Sequence, residues 1–141
     1  MNLSMEFSRK LALAYGAMCK PLCQTLKLPQ TAFDILLFLA NNPAYQTAAD
    51  IVEIRKIKAN LVSVNVDKLV RDGYLTRETV EGDRRKTRLC CTERAQPIIQ
   101  QGRRLQADFL EQLFDGIEPQ AKNVFLQTIA LMNVNLDKLV K

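Results

Sequence analysis

Apolar positions along the chain fall into six helical patterns and two extended runs. From about Met5 to Leu26 they recur at Phe7, Leu11, Tyr15, Met18, Leu22 and Leu26, one face of a long amphipathic helix. Pro21 lies inside it and predicts a kink or a loosened hydrogen bond. After a break over Lys27 to Gln30, Thr31 is placed to cap a second helix running from Ala32 to about Asn41. Its FDILLFLA core is apolar nearly all round, so this helix belongs in the centre of the fold, and Asn41–Asn42–Pro43 ends it. Thr47 with Asp50 three residues on reads as a capping box opening a short helix, Ala48 to Ile54, with Ile51 and Ile54 facing inward.

A turn around Arg55–Ile57 leads to helical spacing at Val62, Val66, Leu69 and Val70, broken at Asp72–Gly73. Extended runs follow, Tyr74 to Val80 and Thr87 to Thr92, separated by a charged turn from Glu81 to Lys86. Two short helices joined by a tight turn, with a hairpin behind the second, predict a winged helix-turn-helix. Thr92 is placed to cap a long helix to about Phe114, with Ile98, Leu105, Phe109 and Leu113 apolar and Pro97 and Gly102 weakening its first half. Glu118–Pro119 opens a last helix, Pro at the favoured first position, with Phe125, Ile129, Met132, Leu136 and Leu139/Val140 as its stripe. The fold class expected is mainly α with a small β-hairpin wing, the winged helix-turn-helix flanked by long terminal helices.

Charge is not spread evenly over this pattern. The chain has 20 Lys/Arg against 15 Asp/Glu in 141 residues; residues 55–88 hold ten against five, so the remainder balances at ten against ten. A basic helix followed by a basic hairpin is the electrostatic footprint of a DNA-reading module. The length predicts one domain with a real core. The longest apolar run, Ile35 to Ala40, is too short to span a bilayer, and the first residues lack the hydrophobic stretch of a signal peptide, so a cytoplasmic location is expected.

The sequence has no His, which removes the commonest general base, the commonest metal ligand and any Ser–His or Cys–His pair. No Gly-rich phosphate loop is present either, so an enzyme is not expected and no cofactor is implied. Cys19, Cys23, Cys90 and Cys91 match no zinc spacing and read as small hydrophobes. The terminal helices carry apolar faces too wide for a core of about 60 residues to cover. A twofold homodimer is the expected solution, packing within one monomer being the other.

The order of elements, with VDKLVRDGYLTR (Val66–Arg77), EGDRRKTRL (Glu81–Leu89) and Thr92–Glu93–Arg94, resembles the MarR family of bacterial transcriptional regulators. The resemblance spans residues 1–141. It implies a winged helix-turn-helix core over 31–92 and a helical dimerisation region made of 1–30 and 93–141. It further implies a homodimeric repressor on a pseudo-palindromic operator of double-stranded DNA, released by a small-molecule or oxidant signal. The departure is in the recognition helix: the Arg common in relatives is Val64 here, and Asn65 stands where an apolar residue is usual. The competing reading is a winged-helix module that binds protein and not DNA.

On the DNA reading, Asn60, Ser63 and Val64 in the N-terminal half of the recognition helix face base edges, Asn60 toward adenine and Val64 toward a thymine methyl. Lys56, Lys58, Lys68 and Arg71 are assigned to phosphates. In the wing, Arg85 is the minor-groove residue, Asp83 is expected to hold its guanidinium, and Arg84, Lys86 and Arg88 meet phosphates. Tyr15, Met18, Cys19, Phe38 and Phe109 are the side chains an effector would meet, though each also reads as ordinary core. Cys19 and Cys23, one helical turn apart, are the residues a redox switch would use, at a spacing wide for a disulfide.

Overall fold

A computed structural model describes residues 2–140, with the side chains of all but Asn2, Leu3 and Arg84. The elements run α1 Asn2–Leu26, α2 Gln30–Asn41, α3 Ala48–Arg55, α4 Ala59–Arg71, β1 Leu75–Val80, β2 Asp83–Cys91, a 3-10 turn Glu93–Ala95, α5 Gln96–Leu113 and α6 Pro119–Leu139. They fall into two compact units, one ending at Gln106 and one beginning at Ala107. This is the winged-helix architecture, with β1 and β2 as an antiparallel hairpin.

The first unit is built around α2. Ala32, Phe33, Ile35, Leu36, Leu37, Phe38 and Leu39 are all buried, as a helix apolar around its circumference must be. α1, α4 and β2 pack on it. From α1 the buried side chains are Cys19 and Cys23, with Tyr15, Leu22 and Leu26 partly covered, while Phe7 is exposed. From α5, Gly102 touches α2: a Cβ there would lie 2.7 Å from Leu37 Cδ2 and 2.8 Å from Cγ. The glycine that weakens a helix in the sequence is thus a close-packing position, leaving the volume that Leu37 fills.

Thr31 does not cap α2. Pro29 is the N-cap residue, with no side-chain bond. The chain break is made one step earlier, where Lys27 takes φ 56° and closes α1 with Lys27 N–H donating to Gln24 O and Leu28 N–H to Cys23 O. Buried Leu28 supplies the apolar contact of that motif, so α2 starts two residues earlier than Ala32.

The capping box of α3 is present in full. Asp50 N–H donates to Thr47 Oγ1 and Thr47 N–H to Asp50 Oδ2, both at 3.1 Å. Next to it, the Gln46 carbonyl accepts from Leu89 N–H of β2 at 2.8 Å, so the loop before α3 is tied to the root of the wing. Thr47→Ala is expected to cost about 1 kcal/mol of unfolding free energy, and Thr47→Ser close to none; urea titration followed by circular dichroism checks both. Ile54 does not face inward: it is 43% exposed, whereas Ile51 is fully buried. On a helix, Val52 lies about 100° to one side of Ile51 and Ile54 about 60° to the other. Half-buried Val52 shows that the covered arc extends to its own side.

The wing is longer on its second strand than the sequence pattern indicates. β2 begins at Asp83, and only Glu81–Gly82 form the turn, with Gly82 at φ 85°. Thr92 does not cap the following helix with its side chain; its Oγ1 donates to Gly73 O at 2.6 Å and its N–H to Tyr74 O, stitching the strand end to the end of α4. In the second unit, α6 begins with Glu118 as N-cap and Pro119 at the first helical position, and none of its residues is buried. Among the described residues no helix is long and apolar enough to cross a membrane.

Candidate nucleic-acid interface

α4 is amphipathic with a clean division. Val62, Asn65, Val66 and Leu69 are buried, and Asn60, Leu61, Ser63, Val64, Asp67 and Arg71 are exposed. Asn65 is tolerated inside because its Nδ2 donates to Leu61 O at 2.8 Å, which satisfies one amide hydrogen within the helix itself. The helix stops at Asp72, where Gly73 N–H donates to Val70 O and Tyr74 N–H to Leu69 O. Gly73 holds φ 86°, the left-handed conformation this ending needs. At the other end Lys56 takes φ 56° as the cap of α3 and Lys58 is the N-cap of α4, so both lysines leave the turn into solvent.

The hairpin register runs Leu75↔Cys91 through Thr79↔Thr87 and then jumps to Val80↔Asp83. Arg84, Arg85 and Lys86 therefore fall outside the regular pairing, as a cationic bulge at the tip. Asp83 does not hold the Arg85 guanidinium. Its Oδ1 accepts the backbone N–H of Arg85 at 3.0 Å, the local bond a short carboxylate makes two residues on. The acid shapes the bulge and leaves the Arg85 side chain exposed. The Arg84 side chain lies outside the described ones.

Ion pairs divide the cations of residues 55–88 into two sets. Lys68 bonds Asp72 at 3.1 Å, Arg88 bonds Glu78 at 2.7 Å across the hairpin, Arg77 bonds Asp67 and Arg55 bonds Asp34 at 3.4 Å. The Arg88 hydrogen bond holds the Glu78 carboxyl below its ordinary range. Lys56, Lys58, Arg71, Arg85 and Lys86 make no ion pair among the described residues and project from the turn before α4, from its end and from the wing tip. Lys68 and Arg88, which the sequence groups with these, are engaged within the fold. Leu61 was not singled out by sequence reasoning; its place three residues before Val64 is the signal that could have found it.

A second feature lies in the first unit. Tyr15, Asp34, Phe38, Asn41, Arg55 and Gln106 help line a cavity of about 220 Å³. Gln106 Nε2 donates to the Tyr15 hydroxyl and Asn41 Nδ2 to Gln106 Oε1, both at 3.1 Å. Burial pushes the Tyr15 hydroxyl up to about 12, against the Gln106 bond. Burial likewise raises the Asp34 carboxyl, and Arg55 pulls it back. Of the expected effector residues, Tyr15 and Phe38 line this cavity; Met18 and Cys19 do not, and Phe109 belongs to the second unit.

The thiols of Cys19 and Cys23 are buried, and burial raises both, Cys23 to about 11. The nucleophilic thiolate is therefore scarce at neutral pH. Iodoacetamide at pH 7.5 is expected to leave both unmodified in the native protein and to label both in denaturant, as mass spectrometry of the peptides would show. Among the described residues no group of three His, Cys, Asp or Glu could hold a metal ion.

Residues 26–86 match the sequence pattern of the MarR family. Solved structures similar over nearly the whole chain include a MarR transcriptional regulator from Methanosarcina mazei Go1, at 18% identity and TM-score 0.80, covering 99% of each chain. A MarR protein from Peptoclostridium difficile is 20% identical with TM-score 0.78, covering 98% of this chain and 89% of that one. A MarR family regulator from Listeria monocytogenes, solved with a 26mer DNA, is 17% identical with TM-score 0.80, covering 94% and 87%.

Proposed function

We propose, from the match of residues 26–86 to the MarR family, that the chain is a DNA-binding transcriptional regulator of that kind, acting as a homodimeric repressor on a pseudo-palindromic operator. The observation that carries this reading is the unpaired set Lys56, Lys58, Arg71, Arg85 and Lys86, which brackets the exposed face of α4 and tips the wing. Residues 31–92 are the DNA-binding core; residues 1–30 and 93–141 are the dimerisation region. The apolar side chains that α6 leaves exposed, Phe125, Ile129 and Met132 among them, support a twofold partner.

Within this reading α4 enters the major groove with Asn60, Ser63 and Val64 toward base edges, and Arg85 enters the adjacent minor groove. Lys56, Lys58, Arg71 and Lys86 meet phosphates, with Arg84 beside them, while Lys68 and Arg88 contribute less because Asp72 and Glu78 already neutralise them. The effector is a small molecule seated in the Tyr15–Asp34–Gln106 cavity, and the raised thiols favour it over an oxidant. Arg85→Ala is expected to weaken operator binding by about tenfold or more while leaving the melting temperature unchanged, since the side chain is exposed. Fluorescence anisotropy on a labelled operator and a thermal melt check the two halves of that statement; unchanged affinity would remove the wing from the reading.

A further inference from the structure

Around α4 at about 100° per residue, Val64 lies at the middle of the exposed arc, with Leu61 about 60° to one side and Asn60 about 40° to the other. Val64 is 64% exposed and Leu61 44%. They are three residues apart, so their side chains are neighbours, and together they form an aliphatic spot in the N-terminal half of the helix. Core packing does not account for it, because Val62, Val66 and Leu69 already supply the buried stripe. A face built only for solvent would carry charge at its centre. Here the unpaired cations stand at its ends, Lys56 and Lys58 before it and Arg71 after it. The guanidinium that reaches the middle of α4 from the wing, Arg77, is bonded to Asp67.

We propose that Val64 and Leu61 read thymine through its C5-methyl group, so that the half-site is specified by apolar contact and not by a guanidinium on guanine. The inference rests on α4 being the recognition helix. In the major groove thymine offers a methyl group where the other bases present none, and guanine is read best by a free Arg or Lys at O6 and N7. Among the described residues, the exposed arc between Asn60 and Val64 carries no such cation. Asn60, one turn before Val64, has the amide that pairs bidentately with adenine. Val64, Leu61 and Asn60 therefore point to A·T steps under the helix, flanked by phosphate contacts from the lysines and Arg71.

The test is selection of duplexes from a random library by the full-length protein, followed by replacement of each selected thymine by deoxyuridine, which removes the methyl and keeps the base pair. Deoxyuridine at a contacted position is expected to weaken binding about fourfold in each half-site, the value of one buried methyl. Val64→Ser with Leu61→Ser should bind thymine and deoxyuridine duplexes alike, and Val64→Arg should shift the preferred base at that position to guanine. Selected sites that bind equally with thymine or deoxyuridine at every position would overturn the inference while leaving the DNA-reading function intact. Failure to bind any duplex would overturn the function itself, and this inference with it.

Discussion

Replacing Phe33 with Ala is expected to lower the unfolding free energy by about 3–5 kcal/mol, the cost of emptying a large aromatic site in a core that cannot collapse around it. Phe33 is fully buried near the start of α2, the helix on which α1, α4 and β2 all pack. Native domains hold only about 5–15 kcal/mol of net stability, so this one change removes roughly a third to a half of it at the middle of that range. Because α4 rests on α2, duplex binding should fail together with the fold. Guanidinium titration measures the loss, and Val64→Ala, at an exposed position, is the control expected to stay within about 0.5 kcal/mol of wild type.

Duplex affinity is expected to fall by about 10³–10⁵ as monovalent salt rises from about 50 to about 200 mM, the loss that accompanies 6–10 phosphate contacts. A twofold dimer would present Lys56, Lys58, Arg71 and Lys86 from each protomer, eight cations in all and within that range. Each phosphate contact removed should flatten the logarithmic slope by about 0.9. Arg85→Ala with Lys86→Ala is expected to flatten it most visibly, at the wing tip where, among the described residues, no carboxylate pairs with either side chain. Lys68→Ala and Arg88→Ala should leave the slope nearer wild type, because each cation is already paired with an internal carboxylate and displaces little counterion from DNA. A slope near zero would remove the phosphate assignments altogether.

What was legible in the sequence was what local spacing determines. The all-round apolar run of α2 announced a central helix, Thr47 and Asp50 announced their capping box, and Asp72–Gly73 announced the end of α4. The misreadings came from bonds that sequence does not display. Thr31 has a capping side chain, but a left-handed Lys27 and Pro29 had already closed the junction. Thr92 looks like a cap and instead bonds to Gly73, nineteen residues back. Gly102 reads as a helix weakness until Leu37 from α2 is seen against it.

The candidate site follows the same division. Periodicity identified the exposed positions of α4, and charge counting found the basic hairpin. Which cations remain free was not legible, because Glu78 opposite Arg88 depends on strand register, and Asp67 beside Arg77 depends on how the wing root meets α4. Asp83 took the backbone N–H of Arg85 over its guanidinium for a geometric reason: a carboxylate on a one-carbon stem is already within reach of the peptide two residues on.

The most direct measurement is binding of the full-length protein to fragments of its own genome, with excess nonspecific duplex as competitor at moderate salt. A small set of fragments is expected to survive the competition and to share an inverted repeat with half-sites about one helical turn apart, as a dimer of winged helices requires. Binding that is absent, or equal for every fragment, would contradict it and leave the exposed face of α6 as the surface to pursue.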